Sequence, residues 1–245
     1  MGWITWSGAT DQGRSRENNE DAWHVAEQLQ AAILADGIGG QECGEVGSAV
    51  TIEGITEYLR APEPGLTLEG MAKEAIRAAN RRVLEAARER PGCSGMGSTV
   101  VLTLWRPPEI LIANAGDSRA YLCRAGALRQ LSYDQNFANE LRTQLGFSEE
   151  RVRAMPNGSV LTMAVGSYPQ VQVRTHTETL ESGDQILLCS DGLHGPVDED
   201  TIARILSENS TLNEKVGRLI DTANENGGPD NVTAVVLQYE DEAHG

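Results

Sequence analysis

The sequence predicts an α+β domain built on antiparallel sheets with helices packed outside them. Two observations carry this. Short runs rich in Val, Ile and Leu come in clusters, and helical stretches come in separate pairs. The regular strand–helix alternation of a parallel-sheet protein is missing. A chain of 245 residues can bury a full core and fits one large domain better than two, so a single domain over residues 1–245 is expected. No repeat of fixed period and no low-complexity tract interrupts it.

The strand candidates, in order, are "HVAEQLQAAILAD", "STVVLTLW", "EILIANAGD", "RAYLCRAG", "DQILLCSD" and "NVTAVVLQY", with "VLTMAVG" a weaker one. Two helices fall between the first and second. Ala49, Ile52, Ile55 and Leu59 recur at helical spacing, as do Leu68, Met71, Ala75, Ala79 and Val83, and the loop "APEPG" separates the two sets. Near the carboxyl end "DEDTIARIL" and "NEKVGRLIDTAN" read as a second pair, the latter with Val216, Leu219, Ile220 and Ala223 on one face. Residues 132–160 hold a short helical stretch, "FANELRTQLGFSEERVRAM", between polar turns, and read as a small excursion from the core.

Charge narrows the partners. With 20 Lys and Arg against 36 Asp and Glu, the net charge is −16, which leaves no electrostatic footprint for nucleic-acid phosphates. No apolar stretch approaches the roughly 20 residues that cross a bilayer. The amino-terminal "MGWITWSGATDQGRSRENNEDAW" lacks the features of a secretory signal. A cytoplasmic protein with neither a membrane nor a nucleic-acid partner is expected. Cys43, Cys93, Cys123 and Cys189 form no CxxC pair, so structural thiols are expected rather than a zinc site or a disulfide.

Three apolar runs finish on an acid: "AAILADG" at Asp36, "ILIANAGDS" at Asp117 and "QILLCSDG" at Asp191. Asp230 precedes a strand in "GGPDNVTAVVL", and Asp21 precedes one in "NNEDAWHV". A single Asp at a strand end is ordinary, because its side chain caps nearby backbone NH groups. Five acids beside strands of a shared sheet are not. Carboxylates brought within about 5 Å raise one another's pKa unless something neutralises them, and an oxygen-rich site of that kind suits Mg²⁺ or Mn²⁺. Zinc would call for His or Cys. His24, His176, His194 and His244 lack metal-ligand spacing, although His194 lies three residues past Asp191.

The glycines after Asp36 offer a second reading, a phosphate cradle. A Walker loop needs a terminal GK followed by Ser or Thr, and a GxGxxG starting at Gly37 would need glycine where Glu42 stands. Neither pattern holds. Gly37, Gly39 and Gly40 instead let the chain turn tightly beside a cation, where a main-chain carbonyl can serve as a ligand. Arg16, five residues before Asp21 in "RENNED", supplies a guanidinium able to grip a phosphate through two parallel hydrogen bonds.

Taken together, "TDQGRSRENNEDAW", "LADGIGG", "GMGSTVVL", "NAGDSRAYL", "LLCSDGL" and "GGPDNVTAVVL" resemble, in content and order, the PP2C-type (PPM) metal-dependent protein serine/threonine phosphatases of the compact bacterial branch. The resemblance spans residues 8–238. It implies a four-layer αββα fold, a central antiparallel β-sandwich flanked by helix pairs, with a small flap and a metal cleft at one edge. It implies two Mn²⁺ or Mg²⁺ ions and, in bacterial members, a third. Asp36 would bridge the first two, the Gly37 carbonyl would bind one, and Asp191 and Asp230 would complete the second. Asp21 would hold waters of the metal shell, and Asp117 would help form the third site. Glu20 and Asn231 are further candidates beside these motifs, and Arg16 falls on the family's phosphate-binding arginine.

The implied chemistry is hydrolysis of phosphoserine and phosphothreonine in proteins, with catalysis resting on Arg16, Asp36 and Asp191. A water shared by two cations loses its proton readily and can attack phosphorus in line, without a phosphoenzyme. The expected substrates are phosphoproteins, those of a serine/threonine kinase. Two departures touch the flap: Gln135 ends "SYDQ" where many members have TxDH, and Met163 stands where arginine is common. No histidine follows "DGIGG" as the general acid of eukaryotic members, which leaves water or His194 as proton donor. The alternatives are a pseudophosphatase that binds phosphoproteins without turnover, and a metal enzyme for small phosphoesters.

Overall fold

The computed structural model describes residues 2–39, 42–148, 151–152 and 157–241. Eleven strands are assigned: β1 (Trp3–Asp11), β2 (Asp21–Ala26), β3 (Ala31–Ile38), β4 (Gly97–Ser98), β5 (Val100–Arg106), β6 (Glu109–Ala115), β7 (Arg119–Arg124), β8 (Ala127–Gln130), β9 (Arg174–Thr179), β10 (Gln185–Cys189) and β11 (Val232–Glu240). One sheet has the order β1-β11-β10-β7-β8; the other runs β2-β3-β5-β6-β9, with β4 paired to the end of β3. The pairings in both are antiparallel. The helices are α1 (Glu42–Arg60), α2 (Leu68–Glu89), α3 (Phe137–Leu145), α4 (Asp191–His194), α5 (Glu199–Leu206) and α6 (Leu212–Glu225).

Three apolar clusters show why the strands read as continuous hydrophobic runs. Along β5, Val101 and Trp105 point between the sheets with Ile112, Leu122, Leu188 and Val235, while Val100, Leu102 and Leu104 point outward onto Ile55, Ile76 and Val83 of α1 and α2. On β10, Ile186 and Leu188 face the sandwich interior; Leu187 and Cys189 face Leu193, Ile202, Val216 and Leu219 on α4 to α6. Both faces of the central strands of each sheet are therefore dry, and the expected αββα layering is present. Each such side chain contributes about 1.5–3 kcal/mol on burial, and period-2 alternation disappears because neither face needs polar residues.

Other elements depart from the sequence reading. "HVAEQLQAAILAD" is split: β2 and β3 are separated by a 3₁₀ turn (Glu27–Leu29), and Gln30 adopts the left-handed conformation with φ 52°. β1, β8 and β9 carry little apolar signal. β9, "RTHTET", is an edge strand with mixed exposure, and β1 is only half-buried. "VLTMAVG" is no strand; it makes isolated bridges at Leu161 and Val165. Within the expected excursion, α3 is capped by the Asn136 side chain at its start and by left-handed Gly146 at its end. Residues 149–150 and 153–156 of that excursion, together with Gly40 and His244, lie outside the described residues.

The cysteines correct the sequence reading in part. Cys123 and Cys189 are buried free thiols, as expected. Cys43 and Cys93 instead form a disulfide with Cα atoms 5.5 Å apart, across 50 residues of sequence. It joins the first turn of α1 to the loop before β4.

Candidate metal centre

The five acids come from both sheets rather than from one shared sheet: strand pairing groups them within each sheet, and packing of the two sheets face to face brings the groups together at one end of the sandwich. Asp21 opens β2 directly opposite Asp36 on β3. Cys189 pairs with Arg119 and with Ala234, which sets Asp191 beside the starts of β7 and β11 and so beside Asp117 and Asp230. A cleft of about 390 Å³ opens there, lined by Arg16, Asp36, Gly37, Asp117, Asp191 and Asp230. Glu20, Ile38, Gly39, Thr99, Ser159, Leu161 and Asn231 complete its wall.

Each DG pair has a steric reason. A Cβ on Gly37 would lie 2.0 Å from the Gly44 carbonyl oxygen, and one on Gly192 would lie 1.9 Å from that of Asn231. Both glycines let a second backbone segment pass against the turn that carries the acid. Thr99 then fixes the Asp36 turn, donating its NH to the Asp36 carbonyl at 2.8 Å, while the Thr99 hydroxyl accepts from the Asp36 NH at 3.1 Å.

Asp21 lies beneath the cleft and is buried. Its Oδ2 accepts hydrogen bonds from the Ser190 hydroxyl at 2.7 Å and the Thr233 hydroxyl at 2.6 Å. Among the described residues, Oδ1 is buried and has no hydrogen-bond partner. An orphaned carboxylate oxygen costs about 1–3 kcal/mol or more, so a missing ligand is the natural explanation.

The electrostatics agree. Burial pushes Asp21 up to about 7, and the charges of Asp191 and Asp230 push it the same way. Burial, then the charge of Asp21, raises Asp36 well above the usual carboxylate range. Burial and the Asp191 charge bring Asp117 to about 7, partly offset by the amide of Asn136, which donates to its Oδ2 at 3.2 Å. Asp191 is pushed to about 6 by burial and Asp230. Such a cluster is stabilised by protons or by cations. All its donors are oxygens, which fits a hard divalent ion. Among the described residues no three His, Cys, Asp or Glu side chains close around one point as a preformed cage. An open cleft with one or two carboxylates per ion and water in the remaining positions is the arrangement Mg²⁺ favours.

The other candidates fall around this cluster. Arg16 sits half-exposed at the mouth with its Nη2 2.6 Å from Asp230 Oδ2. The Glu20 carboxyl packs over Gly44 in the first turn of α1, and burial raises its pKa. The Asn231 side chain is a tie: its Oδ1 accepts from the Glu20 NH, and its Nδ2 donates to the carbonyls of Gln12 and Asn18, holding the Arg16 loop to the start of β11. His194 is not part of the cleft wall. Its Nε2 lies 3.0 Å from the Asp117 carbonyl oxygen, and burial, with Arg119 nearby, pushes it down to about 4. It borders a neighbouring cavity of about 800 Å³ together with Arg119, Arg142 and Glu199.

Sequence reasoning passed over several supports. Ser190 and Thr233 hold Asp21. Asn136 holds Asp117. Gln135 is a buried bracket: its side-chain oxygen accepts from the Gly116 NH at 3.0 Å and its amide donates to the Gln172 carbonyl at 3.0 Å, joining the Asp117 turn to the segment after the flap. The polar residues inside "GSTVV", "CSD" and "NVTA" were the available signal, since a hydroxyl in a fully buried strand needs a partner.

Comparison with known proteins identifies the family and the fold. The family model described as Protein phosphatase 2C fits residues 10–235. The serine/threonine phosphatase stp of Listeria monocytogenes is 34% identical over 235 residues, covering 94% of this chain and 93% of that protein. Among solved structures, the Mycobacterium tuberculosis phosphatase PstP/Ppp superposes with a TM-score of 0.89 at 33% identity, covering 97% of this chain and 99% of that one. The catalytic domain of PstP in complex with two manganese ions gives a TM-score of 0.87 at 32% identity, covering 98% of this chain and 100% of that one. With its strand-end acids, αββα layers and family match over most of its length, this chain belongs to the protein phosphatase 2C family.

Proposed function

We propose that the chain is a single-domain, cytoplasmic, Mn²⁺- or Mg²⁺-dependent phosphatase for phosphoserine and phosphothreonine in proteins, the substrates of a serine/threonine kinase. The observation that carries this reading is the buried acid cluster with its orphaned Asp21 oxygen, opening into a cleft whose rim carries Arg16. Among the described residues, no helix is long and apolar enough to cross a membrane. Relatives support both the substrate class and the metal: stp is a serine/threonine phosphatase, and PstP was solved with two manganese ions.

Asp36, the Gly37 carbonyl, Asp191 and Asp230 would hold two cations, with Asp117 at a third position and Glu20 assisting. Bound there, the cations make a water more acidic and offset negative charge on the phosphoryl oxygens. Asp21, fixed by Ser190 and Thr233, orients water through its free oxygen. Arg16 releases Asp230 and binds the phosphoryl group with its fork of NH donors, which favours charge spread over the equatorial oxygens. In this reading Asp36, Asp191 and Asp230 are committed to the cations, so water attacks in line without a phosphoenzyme, and, as no His, Lys or Cys is among the described cleft-lining residues, the leaving oxygen takes its proton from water.

The test is phosphate release from a phosphothreonine peptide by chelator-treated protein, with Mn²⁺ added back. Expected is release only with the cation. Peptide binding without release at any Mn²⁺ concentration would point instead to a non-catalytic binding module.

A further inference from the structure

On the outer layer of this strongly acidic protein, α2 carries a stripe of cations. Lys73, Arg77 and Arg81 are spaced four residues apart, on the side of the helix opposite Ala72, Ala75, Ala79 and Val83, which pack on the sheet. Alongside runs the extended segment 169–174, in which Val171 and Val173 turn inward to the same core while Gln172 and Arg174 turn out. The two form a groove of about 720 Å³, lined by Lys73, Arg77, Arg81 and Arg174 and, among the described residues, by no acid.

These charges are available to a ligand. Lys73 pairs with Glu69 and Arg77 with Glu74, both as exposed contacts one helical turn apart, which are worth only a few tenths of a kcal/mol and exchange readily. Arg81 has no ion pair among the described residues. The Arg174 guanidinium is held in place over the Tyr133 ring, 4.8 Å from its centre.

The groove is also joined to the metal cleft by one stretch of chain. Ser159 and Leu161 line the cleft. Val165 exchanges backbone hydrogen bonds with Ser98, whose hydroxyl donates to the Asp36 carbonyl. Buried Asn80 on α2 then accepts from the Gly166 NH at 2.7 Å and donates to the Tyr168 carbonyl at 3.0 Å, after which Pro169 to Arg174 form the groove wall.

We propose that this groove docks an acidic segment of the phosphoprotein substrate, flanking the phosphoserine or phosphothreonine that enters the cleft. The proposal rests on the protein-phosphatase reading above. A net charge of −16 repels acidic polypeptides at long range, so a local cationic groove is where such a substrate can be retained.

The test compares three substrates of the full chain with Mn²⁺: p-nitrophenyl phosphate, a phosphothreonine peptide with neutral flanks, and the same peptide with Asp and Glu flanks. Wild-type protein should show a lower KM for the acidic peptide, an advantage that shrinks with added salt. The double variant Arg77→Glu, Arg81→Glu should raise that KM on the order of tenfold, as expected when several exposed charge contacts are lost together. Its kcat and its turnover of the other two substrates should not change. An unphosphorylated acidic peptide should inhibit hydrolysis of the acidic phosphopeptide and leave p-nitrophenyl phosphate turnover untouched.

Equal KM for the two peptides in wild type, or a variant that weakens all three substrates alike, would overturn the docking role. So would inhibition of p-nitrophenyl phosphate turnover by the acidic peptide, which would place that peptide in the cleft. Failure to hydrolyse any of the three would instead overturn the phosphatase reading itself.

Discussion

Asp21 and Asp36 are direct cross-strand partners in the β2–β3 ladder. Like charges opposite one another destabilise a sheet, and here both are pushed upward, Asp21 to about 7. The strand register thus builds a site that is stable only when protons or cations neutralise it. The proposed chemistry follows from that strain.

The sign of the pH dependence is fixed by these shifts. Asp21 and Asp117 at about 7 and Asp191 at about 6 lie above the ordinary value of 3.8, so the folded metal-free protein holds protons that the unfolded chain has lost. Their contribution is present at low pH and is lost as pH rises through the folded values. Thermal midpoints of metal-free protein should fall between about pH 4 and 7, from the unfolded carboxylate value to the folded values, and saturating Mn²⁺ should remove the fall. A metal-free midpoint that rises across this window would contradict the cluster's electrostatics.

Gln135 brackets the turn that carries Asp117. Gln135→Ala leaves the buried Gly116 NH without its partner, at a cost of about 1–3 kcal/mol, visible as a lower denaturation midpoint. The concentration of Mn²⁺ needed for half-maximal turnover should also rise. Unchanged stability would mean that water replaces the side chain.

The disulfide between Cys43 and Cys93 closes a 50-residue separation and ties α1 to the loop before β4, whose Ser98 supports the Asp36 turn. Cys43→Ser should lower stability by about 2–4 kcal/mol. Dithiothreitol should lower the midpoint of wild type and leave that of the variant alone. Identical responses in the two proteins would rule out a contribution from the bond.

Arg16 spans the mouth of the cleft in contact with Asp230. Arg16→Ala should lower kcat/KM on the order of 100-fold, the scale of losing a charged donor to a transferring phosphoryl group. Arg16→Lys should recover only part of this, because an ammonium cannot make the bidentate contact. Full activity in Arg16→Ala would remove the clamp from the mechanism.

Much of this was legible in the sequence. β3, β5, β6, β10 and β11 are dry on both faces and so appear as apolar runs, and the acids that end or precede them mark the site directly. β1 and β9 escaped because "WITWSGATD" is half-buried and polar-rich and "RTHTET" lies at a sheet edge, where pairing rather than side-chain burial makes the strand. The Cys43–Cys93 pair was hidden because spacing along the chain does not report which segments meet. Gln135 and Asn231 read as departures or motif neighbours, and only the fold shows them as brackets between distant segments.

The proposed role of Asp36 as anchor of a cation-dependent hydrolytic site can be measured by calorimetric titration of Mn²⁺ at pH 6 into wild-type protein and Asp36→Asn, with phosphate release from a phosphothreonine peptide followed in the same samples. Wild type should bind Mn²⁺ with release of protons from the acid cluster and should hydrolyse the peptide. Asp36→Asn should keep its fold, gain stability in the metal-free state, bind Mn²⁺ more weakly and lose nearly all turnover. Wild-type turnover in the folded Asp36→Asn protein would contradict the assignment.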